Sequence, residues 1–215
     1  MKVVKFGGSS LASATQLQKV LNIVKSDKER QFVIVSAPGK RNDSDTKVTD
    51  ALIKYYRAYI AGDDVSLQQK WIINRYADIV AELDLKPTIL DRISKNIVSL
   101  ATLPVEENEF LYDTFLAAGE DNNAKLIAAF FNQNGVPARY VHPKEAGLFV
   151  SSEPGNARIL PYSYDKIEEL NNSEEVLVIP GFFGVTRDGQ ICTFSRGGSD
   201  RKSTRLNSSH QPLSR

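Results

Sequence analysis

A short run of strand formers, Val3-Val4-Lys5-Phe6, breaks at Gly7-Gly8-Ser9-Ser10. Leu17, Val20, Leu21 and Val24 then fall at i, i+3, i+4 and i+7, which predicts an amphipathic helix directly behind the break, with Ser9 or Ser10 as its N-cap. A strand that passes through two glycines into a helix restricts the possible folds more than any other segment of the chain. Two adjacent residues without Cβ let backbone N–H groups turn toward an anion and approach it closely. The helix N-terminus would add partial positive charge there, and Lys5 a full one. The segment has the composition of a phosphate cradle where a sheet meets a helix. It also fits a solvated lysine followed by an ordinary glycine turn, and these residues alone do not separate the two readings.

The next segment extends the pattern. Phe32-Val33-Ile34-Val35 reads as a buried strand that ends in a second loop, Ser36-Ala37-Pro38-Gly39-Lys40. Strand, helix, strand is the unit of a parallel sheet, so the fold class is α/β. A helix is predicted near Thr49, with Leu52, Ile53, Tyr56 and Ile60 on one face. Two more follow, over 66–83 and 87–102, the second with Pro87 in its first turn. A long helix is expected from Val105 to Asn134, stopped by Gly135. Segments 136–141 and 176–179 read as strands with a helix near 165–171 between them, and Arg187-Asp188-Gly189 has the chemistry of a hairpin turn between 180–186 and 190–194. Trp71 and the Tyr55, Tyr56, Tyr59 group are expected to be core and helix-packing residues, and Cys192 to be buried and inert.

Composition narrows the function classes. The 215 residues are 41% apolar and 25% charged, ordinary for a globular protein of one large or two small domains. No stretch approaches the roughly 20 apolar residues of a membrane span, and no secretory leader is visible, so the expected location is the cytoplasm. One cysteine and two histidines, His142 and His210, give no metal-ligand spacing and little histidine acid–base chemistry. The formal charge of +1 comes from the last fifteen residues, which hold four basic groups and no acids. Without them 23 basic groups face 26 acidic ones, or −3, and nothing suggests a nucleic-acid surface. Those residues differ in kind from the rest. Asp200 to His210 resembles the translation of a widely used sequencing-adapter oligonucleotide, and Gln211 to Arg215 fits its continuation. Residues 201–215 are therefore expected to be foreign to the protein and disordered, and the origin of Asp200 stays open.

A second glycine pair stands in Ser195-Arg196-Gly197-Gly198-Ser199-Asp200, flanked by a cation whose planar fork suits a carboxylate. By itself it could be a polar hairpin exit. Taken with Lys5 to Ser10, Val35-Ser-Ala-Pro-Gly-Lys40, Thr46-Lys-Val-Thr-Asp50, Ala118-Gly-Glu120 and Pro180-Gly-Phe-Phe-Gly184, in that order, it makes residues 1–200 resemble the aspartate kinases of the amino-acid kinase superfamily.

The resemblance implies a three-layer α/β/α sandwich with a mostly parallel sheet, here truncated. It implies transfer of the γ-phosphoryl group of ATP, with Mg²⁺ held mainly through the nucleotide, to the β-carboxylate of L-aspartate, a first step toward lysine, threonine and methionine. Carried over by position, Lys5, Phe6, Gly7, Gly8 and Ser9 would hold the transferring phosphates, with Lys5 catalytic. Thr49, Glu120, Arg196 and Ser199 would bind aspartate, Glu120 through its ammonium and Arg196 through its α-carboxylate. Small residues Ala117-Ala118-Gly119 would leave room for the ligand beside the helix, and Lys40 and Arg41 would lie in a solvated loop or lid. No metal is expected on the protein itself, and no nucleic-acid or membrane partner. Family members continue past the Arg-Gly-Gly-Ser-Asp loop into the part that holds the nucleotide base and ribose, then into regulatory ACT domains that help build homo-oligomers. Residues 1–200 would thus be the substrate and phosphate half, inactive alone, with a strand edge left open. Alternatives are a superfamily kinase acting on glutamate, acetylglutamate or a nucleotide, and a non-catalytic aspartate-binding module. A dinucleotide-binding fold is disfavoured, since no Gly-x-Gly-x-x-Gly follows the first strand.

Overall fold

The computed structural model describes residues 1–195; Arg196, Ser199, Asp200 and the 201–215 tail lie outside the described residues. Strand β1 (Lys2–Phe6) leads through a 3₁₀ turn (Gly8–Leu11) to α1 (Ala14–Lys25), followed by β2 (Arg30–Val35). Four helices come next: α2 (Val48–Ala61), α3 (Ser66–Glu82), α4 (Pro87–Ser99) and α5 (Leu111–Gln133). Then come β3 (Ala138–Tyr140), α6 (Ser163–Glu168), β4 (Val176–Pro180), β5 (Phe183–Val185) and β6 (Ile191–Thr193). Strands β1 to β4 form one parallel sheet in the order β1-β2-β4-β3, while β5 and β6 pair as an antiparallel hairpin. The α/β class with a mostly parallel sheet is the expected one.

Alternation along the buried strands assigns the two faces. Val33, Val35 and Val178 join the core built by α1 to α5. Phe32, Ile34, Leu177 and Ile179 point the other way, under α6, the hairpin and the segment Val141 to Ala157 that precedes α6. Helix α5 is buried nearly all the way round, because it lies on the sheet and beneath α2 and α4. Phe115 on α5 gathers three tyrosine rings of α2, with Tyr55 edge-on at 4.9 Å and Tyr59 stacked at 5.6 Å. The hydroxyls of Tyr55 and Tyr59 donate to the carbonyls of Ile97 and Leu103, so these rings tie three helices together without stranding a polar atom.

Four expectations change. The N-cap of α1 is Ser13, whose hydroxyl accepts from the Gln16 amide, and not Ser9 or Ser10. The Ser10 amide instead closes the 3₁₀ turn on the Gly7 carbonyl, and fully buried Leu11 fixes that turn against the core, so the positive end of α1 starts six residues beyond Gly8. Helix α2 buries Val48, Ala51, Leu52 and Tyr55, leaving Ile60 exposed; its inward stripe lies one position earlier than the apolar count suggests. Helix α5 begins at Leu111 instead of Val105. Three acids among residues 106–109 leave no apolar stripe there, and Glu107 takes a left-handed φ of 55°. Trp71 is 37% exposed and lines a surface pocket with Leu67, Gln68 and Lys54, so it is not a core residue. Cys192 is fully buried as expected, and desolvation, followed by the nearby Asp113 carboxylate, pushes its thiol up to about 11.

Candidate active site

The carboxyl ends of β1 and β2 open onto a cavity of about 360 Å³ lined by Gly8, Ser9, Ser36, Ala37, Pro38, Gly39, Lys40, Lys47, Thr49 and Glu120. The carboxyl edge of a parallel sheet is where such folds place ligands. Four of the residues singled out from sequence meet here: Gly8 and Ser9 from the first loop, Thr49 from the opening turn of α2, and Glu120 from the middle of α5.

Two glycines build the floor. The Gly39 amide donates to the Gly8 carbonyl at 2.8 Å. A Cβ on Gly39 would sit 2.5 Å from the Gly8 carbonyl carbon, and one on Gly8 would sit 3.0 Å from the Ala37 carbonyl oxygen. Neither loop admits a side chain at this contact, so the two backbones lie directly against each other. Ser9, Ser36 and Thr49 supply hydroxyls, and Lys40 and Lys47 supply two cations.

Glu120 forms one wall. Its carboxylate accepts the Phe182 amide, and Gly181 allows this because a Cβ there would lie 3.1 Å from the Glu120 carboxylate. Ala117-Ala118-Gly119 are expected from sequence to leave room for a ligand beside the helix, but at Gly119 neighbouring elements fill that space. A Cβ at Gly119 would meet Ala37 and Leu52 at 3.0 Å, so the missing side chain lets the second loop and α2 close onto α5. That closure brings Thr49 and Glu120 to the same cavity. The Tyr76 hydroxyl donates to the Gly119 carbonyl at 2.7 Å, and Asn123 donates to the Ser36 carbonyl at 2.7 Å, fixing the helix and the loop from either side.

The remaining candidates lie elsewhere. Lys5 pairs in register with Ile34, and Phe6 with Val35. Lys5 therefore shares the sheet face of Ile34, opposite α5, while the Phe6 side chain joins the core on the α5 face and leaves only its backbone for a ligand. Neither residue lines the cavity, and Gly7 stands beside it as the residue that opens the 3₁₀ turn. Lys40 lines the cavity, whereas Arg41 is turned away and held by Asp45 through two nitrogens, with Asp78 at 3.3 Å. The Arg41 guanidinium, together with backbone amides and Arg75, holds the Asp45 carboxyl well below the usual carboxylate range despite its burial.

Three contributors had escaped the sequence reading. Lys47 enters the cavity from the residue before α2. Arg75 lies in the buried stripe Ile72, Tyr76, Ile79 of α3, and a charged residue inside an apolar stripe was the available signal. Asp113 is 1% exposed and accepts the amides of Gly155 and Thr193 at 2.9 and 2.6 Å, anchoring the end of the hairpin.

Among the described residues, no group of three or more His, Cys, Asp or Glu could hold a metal ion, and no helix is long and apolar enough to cross a membrane.

The chain is similar to aspartokinase 3 of Bacillus subtilis, with 50% identity over 200 residues that cover 93% of this chain and 44% of that protein. Its fold matches the crystal structure of Clostridium acetobutylicum aspartate kinase at a TM-score of 0.79 and 33% identity, covering 97% of this chain and 45% of that one. Escherichia coli aspartokinase III, crystallised with aspartate and ADP, shares the fold at a TM-score of 0.81 and 22% identity, again over 97% of this chain and 46% of that one. The chain thus spans less than half the length of the relatives it matches. Residues 1–206, which include the whole of the sheet, the helical layer and the cavity, match the model of the amino acid kinase family, and the chain belongs to that family.

Proposed function

We propose that residues 1–200 form the substrate and phosphate half of an aspartate kinase, which transfers the γ-phosphoryl group of ATP to the β-carboxylate of L-aspartate. The supporting observation is the convergence of Gly8 and Ser9 with Thr49 and Glu120 on one cavity, although they come from three elements and are more than 110 residues apart at the extremes. A carboxylate acceptor is already ionised at neutral pH, since aspartate titrates near 3.9, so the reaction needs no general base. What it needs is positive charge and oriented amides around two approaching anions. Lys40, Lys47 and the backbone amides of the Gly8–Ser9 turn, which the Gly39 contact holds in place, supply these within the cavity, with Lys5 acting on the phosphates from the other sheet face. In this reading Glu120 takes the aspartate ammonium and Thr49 hydrogen-bonds the substrate, while Arg196 and Ser199 complete the carboxylate clamp. Mg²⁺ enters on the ATP phosphates. The nucleotide base and the homo-oligomer contacts belong to the longer protein, and residues 201–215 are foreign to it. Sequencing the source locus from clean genomic DNA tests that boundary; codons for Arg201 to Arg215 there would refute it.

Function is tested on the chain itself. In a ¹⁵N-NMR titration, L-aspartate shifts the amides around Thr49, Glu120 and Phe182, while L-glutamate and N-acetylglutamate do not. In a hydroxylamine-trapped acyl-phosphate assay with Mg-ATP, the chain alone gives no product. A preference for glutamate would reassign the substrate, and robust aspartyl hydroxamate formation would refute the half-site reading.

A further inference from the structure

Behind the cavity floor, Arg75 is 2% exposed, and a single nitrogen, Nη2, donates to the carbonyls of Ala12 at 2.7 Å and Gly39 at 2.8 Å. The same nitrogen lies 3.4 Å from the Asp45 carboxylate. Two loops are thereby joined at one atom: the end of the glycine turn after β1, and the connection from β2 to α2, which is held at both Gly39 and Asp45. The guanidinium has only these anchors, since Nε and Nη1 are buried without a hydrogen-bond partner among the described residues. A buried cation with two unpaired donors is costly, and an apolar residue in the Ile72–Tyr76–Ile79 stripe would pack there at lower cost. Stability therefore does not explain the residue. Desolvation lowers its pKa, yet an arginine stays charged.

We infer that Arg75 is a positioning residue for the cavity floor: by holding the Ala12 and Gly39 carbonyls together it sets the contact of Gly39 on Gly8, and with it the direction of the loop amides that face the transferring phosphates. This inference rests on the reading of the cavity as a phosphate site. The geometry is specific to the phosphate side. Arg75 makes no hydrogen bond or ion pair with Thr49 or Glu120, whose positions follow from the packing at Gly119 and the Phe182 amide. Lysine cannot replace it in full, because its stem is shorter than the one that carries Nη2 to the two carbonyls and the carboxylate.

The test compares the wild-type chain with Arg75→Met and Arg75→Lys by ¹⁵N-NMR, with three readouts on each folded protein. They are hydrogen exchange of the Gly39 amide, titration with inorganic tripolyphosphate, and titration with L-aspartate. Both variants are expected to lose protection at Gly39. Their tripolyphosphate affinity should fall by about tenfold while the L-aspartate affinity stays within about twofold. A general loss of structure would weaken both ligands together and would overturn the inference. So would wild-type protection of Gly39 in either variant, or unchanged tripolyphosphate affinity once that protection is lost. If Arg75→Met does not fold, Arg75→Lys alone decides. Should tripolyphosphate leave Gly8 and Gly39 unmoved in the wild type, the phosphate reading of the cavity fails, and exchange at Gly39 still decides whether Arg75 sets the contact.

Discussion

The two ends of the parallel sheet handle charge in opposite ways. At the amino end, Lys2 pairs with Asp27 and Glu29 at 2.8 Å each, and Arg30 lies near Asp27, with the Lys2 and Glu29 side chains 54% and 59% exposed. At the carboxyl end, Arg75 is 2% exposed, the Asp45 side chain 7%, and their partners are as often backbone carbonyls and amides as opposite charges. An exposed pair in water contributes little and can be rebuilt in many ways; a charge bonded to backbone under a cavity fixes the position of a loop. The difference marks where the molecule is committed to one geometry. Substitutions should therefore matter in proportion to their closeness to the carboxyl end.

The largest effect is expected at Gly39. A methyl group there would fall 2.5 Å from the Gly8 carbonyl carbon and 2.8 Å from the Ser9 nitrogen, both backbone atoms that cannot swing aside. Gly39→Ala should cost about 3 kcal/mol in urea unfolding and abolish tripolyphosphate shifts at Gly8. A variant as stable as wild type would show that the two loops are not in contact. Next comes Glu120→Gln, which can still accept the Phe182 amide but carries no charge for an ammonium. Its affinity for L-aspartate should drop about thirtyfold, close to 2 kcal/mol, with the thermal midpoint nearly unchanged. Equal affinity in the calorimeter would remove Glu120 from the substrate site.

The same contrast explains what the sequence disclosed. The sheet was legible because its strands are short apolar runs bounded by glycine, proline or polar turns, as at Phe32 to Val35 and Val176 to Ile179. Gly8, Ser9, Thr49 and Glu120 were legible as motif residues, and the cavity collects them. The brace behind the cavity was not. Arg75, Tyr76 and Asn123 act by bonding main-chain carbonyls far away in sequence, and a carbonyl leaves no mark in the amino-acid code. Gly119 was misread for a related reason: a missing side chain looks like space for a ligand until the neighbouring elements are seen to fill it. The N-cap of α1 moved to Ser13 because three nearby serines offer the same chemistry, and only the burial of Leu11 selects among them.

Asp45 provides a smaller test at the carboxyl end. Its folded carboxyl is held below the ordinary range, so it contributes stability that is present above pH of about 4 and is lost as the pH falls below that value toward its folded pKa. Asp45→Asn should cost about 1–2 kcal/mol at pH 7, allowing for the solvent around Arg41, and should flatten the stability profile below pH of about 4. Urea midpoints between pH 2 and pH 7, a range set by the ordinary carboxylate pKa, would show this. A parallel downward offset at all pH values would mean that Asp45 acts through hydrogen bonds that do not depend on its charge.

Lys2→Ala is the control from the other end, and the smallest expected effect. Lys2 has as many close ionic partners as Asp45, and at shorter distances, since both Asp27 and Glu29 lie at 2.8 Å and both raise its pKa, whereas Arg41 and Arg75 lie 2.9 and 3.4 Å from Asp45. Counting pairs would therefore rank it high. Exposure ranks it low, because water and salt screen both pairs and Asp27 keeps its bond to the Glu29 amide when the lysine is gone. The thermal midpoint should move by less than about 2 °C in low salt and not measurably in 0.5 M salt, where the screening length is only a few ångströms. A loss as large as that of Asp45→Asn would show that pair geometry outweighs burial in this sheet, and would remove the asymmetry between its two ends.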